Sequence, residues 1–111
     1  MERQLPKVTA FQRRVYEETR KIPRGSVITY GELARRIGCG SARAVGQALR
    51  VNPFAPEVPC HRVVAADGSL HGFYGRRDAA MLAKKRRLLE AEGVRFDESG
   101  RIDLKRQTET S

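Results

Sequence analysis

A chain of 111 residues is long enough for one compact domain and too short for two. Hydrophobic residues make up 40% of it without any apolar run near membrane-spanning length, and Met1-Glu2-Arg3-Gln4-Leu5-Pro6 lacks the apolar centre of a secretory signal. With 22 Lys and Arg against 13 Asp and Glu, the formal net charge of +9 suits a polyanionic partner, nucleic acid before an acidic membrane.

Residues 1–8 read as a loose lead-in. Thr9-Ala10-Phe11-Gln12 has capping-box spacing and opens a helix whose Phe11, Val15, Thr19 and Ile22 share one face. Pro23 and Gly25 end it, and its expected role is scaffold. Val27-Ile28 reads as a short extended connector. A second capping box, Thr29-Tyr30-Gly31-Glu32, opens a helix that can turn Leu33, Ala34 and Ile37 inward. Gly38-Cys39-Gly40 breaks that helix, and Ser41 caps a third over residues 42–50. Two short helices around a glycine turn predict a helix-turn-helix. The small residues Ala42, Ala44, Gly46 and Ala48 would let the second of them lie close to a backbone or groove. Arg43 in its first turn would face a bound nucleic acid. The same shape also serves as a plain packing unit.

Residues 51–56 carry closely spaced breakers and form a rigid turn leading through Glu57-Val58-Pro59 into Cys60-His61. A thiolate is the nucleophilic form of cysteine, and a neighbouring imidazole that takes the proton can populate it near neutral pH. The alternative is a cysteine that is only a small core residue. His61-Arg62-Val63-Val64 and a return across residues 66–70 read as a small hairpin, the wing of a winged helix. Residues 71–77 form a glycine-and-arginine loop, either a solvated connector or a flap whose Arg76 and Arg77 contact phosphate. Asp78 would cap the last long helix, with Met81, Leu82, Leu88 and Leu89 as its apolar stripe and Lys84-Lys85-Arg86-Arg87 outside. Gly93 follows its end. Residues 94–97 and 101–104 flank Glu98-Ser99-Gly100 as a terminal hairpin, and residues 105–111 form a frayed tail. The expected fold class is mainly α with small β hairpins, a winged helix-turn-helix DNA-binding domain over residues 9–104. Two cysteines and two histidines make neither a disulfide framework nor a zinc site. Cys39 is expected to be a free structural thiol and the compartment reducing.

Thr29-Tyr30-Gly31-Glu32-Leu33-Ala34, Ala42-Arg43-Ala44-Val45-Gly46, Asn52-Pro53, Val58-Pro59-Cys60-His61-Arg62-Val63 and Leu88-Leu89-Glu90-Ala91-Glu92-Gly93 occur in that order. In order and spacing they resemble the active domain of O6-alkylguanine-DNA alkyltransferases, over roughly residues 8–94. The resemblance covers the active domain, and the separate N-terminal domain of many members is expected to be absent. The resemblance implies that Cys60 is the acceptor nucleophile, that His61 acts as its base through a water, and that Glu92 orients and charge-compensates His61. Asn52 would hold the turn that packs the recognition helix against the active-site strand. Arg43 would fill the gap left by a flipped guanine, and Tyr30 would help rotate the nucleotide out. The implied DNA-binding set is Tyr30, Ser41, Ala42, Arg43, Arg62, Arg76 and Arg77, with the helix-turn-helix in the minor groove of double-stranded DNA containing O6-alkylguanine. No metal or organic cofactor is implied. The expected protein is monomeric, cytoplasmic and nucleoid-associated or nuclear, with repair proteins as possible partners.

The implied chemistry is coherent. An alkyl group on guanine O6 lies inside the duplex, so the base must leave the stack before in-line attack. The thiolate displaces guanine, and a donor such as Tyr30 eases its departure. The thioether product makes the protein a single-turnover acceptor. Two departures stand out. Gly75 is followed by Arg76-Arg77 where the family usually runs through a glycine-tyrosine-glycine-glycine loop, and the distance to Glu92 is longer. The ending is similar to alkyltransferase-like proteins, which bind O6-alkylguanine DNA and transfer nothing, usually with tryptophan in place of the cysteine. Cys60 favours the enzyme, and the altered loop favours a non-enzymatic damage sensor that recruits other repair proteins. A plain winged-helix binder is the third reading.

Overall fold

The computed structural model describes residues 8–53, 58–70 and 79–104. Five sequence expectations lie wholly or partly outside these residues: the lead-in at 1–8, the rigid turn at 51–56 with Glu57 after it, the loop with Arg76 and Arg77, the Asp78 cap and the tail at 105–111.

Local signals start each of the first three helices. Helix α1 (Ala10–Arg20) begins at a reciprocal capping box, with Gln12 N–H donating to Thr9 Oγ1 at 3.0 Å and Thr9 N–H donating to Gln12 Oε1 at 2.9 Å. It buries Val15, Tyr16 and Thr19, and the Thr19 hydroxyl is satisfied by donating to Val15 O at 2.6 Å. Strand β1 (Ile28–Thr29) runs directly into α2 (Tyr30–Arg36), whose Glu32 N–H donates to Thr29 Oγ1 at 3.1 Å. Helix α3 (Ala42–Arg50) starts at Ser41, which accepts from Ala44 N–H at 3.0 Å. Between α2 and α3 the chain reverses through Gly38, whose φ of 72° is left-handed. This α2–α3 pair is the helix-turn-helix, packed with α1 around a core that includes Val15, Leu33, Val45 and Cys60.

The sheet differs from the sequence expectation in its partner. The turn at 65–69 does close, with Gly68 N–H donating to Ala65 O at 2.9 Å and Ala65 N–H to Ser69 O at 3.1 Å. Yet strand β2 (Val63–Val64) pairs in parallel with β1, Ile28 opposite Val63 and Thr29 opposite Val64. Val63 and Val64 are both 0% exposed. A segment covered on both faces suits a parallel pairing rather than a one-sided hairpin. Ile28, read as part of a connector with Val27, and Thr29, read as the start of the next helix, therefore supply half the sheet.

Helix α4 (Ala79–Ala91) corrects another expectation. Lys85, expected outside with its basic neighbours, is 1% exposed and donates from Nζ to Val63 O at 2.9 Å. Its position explains this: residues 81, 85 and 89 lie four apart on one helix face. The inward stripe is thus Met81, Lys85 and Leu89, while Leu88 is 37% exposed. Lys84, Arg86 and Arg87 do face solvent.

The terminal hairpin forms as expected, with Phe96 opposite Ile102 and Asp97 N–H donating to Arg101 O at 2.8 Å. It docks through Ile102 N–H on Gly68 O at 3.0 Å, and a Cβ on Gly68 would collide with the Ile102 backbone. Val27, Val64, Leu89, Val94 and Ile102 form the second core cluster beneath it. The fold is mainly helical. No helix among the described residues is long and apolar enough to cross a membrane.

Candidate active site

The chain enters the site through Pro59 and folds a 3-10 turn over Cys60–Arg62, closed by Arg62 N–H donating to Pro59 O at 2.9 Å. Asn52 fixes the approach. Its backbone N–H donates to Leu49 O at 3.2 Å at the end of α3, and its Nδ2 donates to Val58 O at 3.0 Å. One buried amide thus joins the helix-turn-helix to the turn that carries the thiol. Cys60 is 7% exposed. Burial pushes its thiol up from the ordinary value, while a hydrogen bond from Asn52 and the charge of Lys85 pull it back down.

His61, the next residue, is 6% exposed and stands 2.8 Å from Glu92 Oε2 through Nε2. Glu92 follows the end of α4 and receives a second cation. Arg62 donates from Nε to Glu92 Oε1 and from Nη2 to Glu92 Oε2, both at 2.9 Å. Burial opposes the carboxylate charge, but the bonds from Arg62 and His61 outweigh it and hold Glu92 at about 2. Against an ionised Glu92, the hydrogen on a neutral His61 sits on Nε2, and Nδ1 is the acceptor nitrogen. Burial lowers His61, the Glu92 hydrogen bond and charge raise it, and Arg62 and Lys85 lower it again; the balance falls below the ordinary value.

Arg62 is placed differently from the sequence expectation of a DNA contact. All three of its guanidinium nitrogens have protein partners, the third being Nη1 donating to Ile22 O at 2.8 Å. Two ionisable groups near the thiol escaped the sequence reading. Lys85 lies behind Cys60, and burial pulls its ammonium down to about 8. Its Nζ also stands 6.0 Å from the centre of the Tyr30 ring. Tyr16 donates to Ala48 O at 2.7 Å, and burial and then Cys60 raise its phenol. The 81–85–89 spacing was the one signal that could have found Lys85; nothing local marks Tyr16.

The other expected residues divide between surface and interior. Arg43 and Ala42 are exposed in the first turn of α3, and Ser41 is half-buried as its cap. Tyr30, the first residue of α2, is half-buried, and its ring lies 3.9 Å from where a Gly46 Cβ would stand. Of the small residues on α3, Ala48 faces the core at 3% exposure and Gly46 faces Tyr30, so they do not form one outward surface. No group of three or more His, Cys, Asp or Glu among the described residues could hold a metal ion.

Comparisons with known proteins fit this arrangement. Residues 10–94 match the family described as 6-O-methylguanine DNA methyltransferase, DNA binding domain. The methylated-DNA–protein-cysteine methyltransferase of Methanothermobacter thermautotrophicus is 46% identical over 89 residues, 80% of this chain and 47% of the relative. The chain therefore spans about half the length of such curated relatives. The crystal structure of Mycobacterium tuberculosis OGT in complex with DNA aligns at 47% identity with a TM-score of 0.70, covering 78% of this chain and 51% of that one. S. pombe Atl1, in complex with damaged DNA containing O6-carboxymethylguanine, aligns at 32% identity and a TM-score of 0.79, covering 96% of this chain and 100% of that one. With the family match running from α1 to the residues just past α4, the chain belongs to the 6-O-methylguanine DNA methyltransferase, DNA binding domain family.

Proposed function

We propose that this protein binds double-stranded DNA as a monomer through its helix-turn-helix, turns an O6-alkylguanine out of the stack from the minor groove, and transfers the alkyl group to Cys60. The observation that carries this reading is the buried thiol of Cys60, set between the amide of Asn52 and the ammonium of Lys85, beside a His61 hydrogen-bonded to Glu92. The DNA-bound M. tuberculosis and S. pombe relatives and the +9 charge support the partner. The work of repairing DNA would place the protein with the nucleoid or in a nucleus.

In this reading His61 takes the thiol proton through its Nδ1 side, by way of a water, while Lys85 stabilises the thiolate. The sulfur then bonds to the alkyl carbon as the carbon–O6 bond breaks, and guanine leaves with a proton returned from a donor such as Tyr30. The electron pair of the broken bond stays with guanine. The thioether is stable, so each molecule reacts once. Asn52 keeps Cys60 in register with α3, and Arg43 occupies the stack position vacated by the base. Ser41 and Ala42 bring the start of α3 to the backbone, and Arg76 and Arg77 add phosphate contacts.

A second reading has its own support. Alignment with Atl1 over that protein's full length favours a damage sensor that binds alkylguanine without transfer and recruits repair proteins. Mass spectrometry after incubation with a duplex holding one O6-methylguanine decides between them. One methyl on the Cys60 peptide, saturating at one per molecule, is the expected result. Lesion-preferring binding with an unmodified Cys60 would replace transfer with sensing.

A further inference from the structure

The motif around Cys60 contains an arginine that the transfer chemistry leaves unused. Arg62 joins three separate parts of the chain. Its Nε and Nη2 grip both carboxylate oxygens of Glu92, and its Nη1 holds Ile22 O, 40 residues upstream. The loop after Ile22 closes on the same place. Arg24 Nη2 donates to Ala91 O at 3.1 Å, and a Cβ on Gly25, whose φ is 91°, would stand 3.1 Å from Glu92 O. Glu92 is therefore held by its side chain and braced at its backbone, and Oε2 is shared between Arg62 Nη2 and His61 Nε2.

Two consequences follow from that sharing. A bidentate guanidinium fixes the plane of the carboxylate, and so the direction from which His61 is held. It also offsets the carboxylate charge. An isolated Glu92 at 2.8 Å would favour the imidazolium, the form that cannot accept a proton from a thiol. Among the described residues, the ionisable groups around His61 are Lys85 from α4, Glu92 just past its end, and Cys60 and Arg62 from its own turn. Of these, Glu92 alone attracts a proton to the ring, and Arg62 is the cation bonded to it.

We propose that Arg62 is a positioning residue that locks Glu92 against His61 and neutralises it, so that His61 stays an uncharged base beside Cys60. The inference rests on the alkyl-transfer reading for its consequence, but the coupling among the three side chains exists without it. It also replaces the phosphate contact expected for Arg62 from the resemblance.

The test is an NMR titration of the His61 ring, resolved from His71 with His71→Gln, alongside methyl transfer from an O6-methylguanine duplex between about pH 5.5 and 8.5. In the wild-type chain His61 should titrate below the ordinary histidine value; a value raised above it would overturn the proposal and needs no variant. Arg62→Gln keeps a hydrogen-bond donor and removes the charge. It should raise the midpoint of the His61 titration by roughly one pH unit, and move the acid limb of the transfer rate upward by the same amount. Transfer at about pH 5.5 should then fall several-fold, approaching roughly tenfold only below both midpoints, while the rate at about pH 8 changes little. Arg62→Lys, which restores the charge, should recover most of the wild-type profile. A uniform loss of rate at every pH, with His61 titrating as in the wild type, would reduce Arg62 to a packing residue. Absence of any methyl on wild-type Cys60 would sink the transfer reading instead, and the His61 titrations would still decide the role of Arg62.

Discussion

The helix-turn-helix and the Cys60 turn lie side by side, joined through Asn52, and they handle charge in opposite ways. On α3 the arginines Arg43 and Arg50 stand in solvent on a helix fixed by a cap, Ser41, that accepts from an N–H three residues on. Around Cys60, the charges of Lys85, Glu92 and Arg62 are withdrawn from water and tied to partners 22, 30, 31 and 40 residues away. Exposed charge acts through counterions and answers to salt, while buried charge acts through protonation and answers to pH. The two halves should therefore fail differently when perturbed.

Cys60→Ala should separate them most sharply. Methyl uptake should vanish while affinity for the lesion duplex stays near wild type, read by mass spectrometry and by a binding titration. Loss of both together would make the thiol a structural core group.

Lys85→Met tests the buried half alone. Removing the cation behind the thiol should slow transfer roughly a hundredfold near neutral pH, with DNA affinity unchanged. Stability should move the other way. Lys85 sits at about 8 against an ordinary 10.5, so between those limits the unfolded chain holds more proton. The contribution of this group to stability is therefore smallest below pH 8 and rises as pH increases through the window. At neutral pH, keeping the ammonium charged in the interior costs about 3 kcal/mol, the free-energy equivalent of its weakened hold on the proton. Relative to wild type, the methionine variant should gain stability near pH 7 and lose that advantage near pH 10.5. Urea melts that stay parallel across the range would mean Lys85 is not a desolvated ammonium.

Arg43→Ala tests the exposed half. Affinity for the lesion duplex should drop roughly tenfold, and the slope of log affinity against log salt should shrink by about one. The His61 titration should not move; a change there would show that the two regions are coupled.

The smallest effect is expected from Thr29→Ala, which removes the cap of α2 at a cost of about 1 kcal/mol, visible as a lowered Tm. Transfer by the molecules that remain folded should be unaltered.

The same division explains what could be read before the structure. Caps at Thr9, Thr29 and Ser41 were legible because each involves atoms three residues apart. The glycine break after α2 and the tight terminal hairpin are equally local. The parallel pairing of Ile28 with Val63 was not legible, because neither two-residue segment carries a pattern that names its partner. Within the site, the adjacency of Cys60 and His61 marks only a candidate reactive thiol, which a core cysteine would match equally well, and where Arg62 points depends on Glu92 and Ile22. Lys85 was masked by its basic neighbours, although its spacing from Met81 and Leu89 carried the answer.

The bond from Arg24 to Ala91 spans 67 residues, most of the stretch from residue 10 to residue 94 that the family match covers. Seen as a problem of synthesis, that span sets an order of events. The contacts that gather α1, α2 and α3 are available once the chain has emerged as far as Arg50, whereas Glu92 reaches Arg62 and His61 only after α4 has been made. A nascent chain thus builds its scaffold first, and His61 stays without its carboxylate partner and Cys60 without its neighbouring cation until α4 and Glu92 have been made.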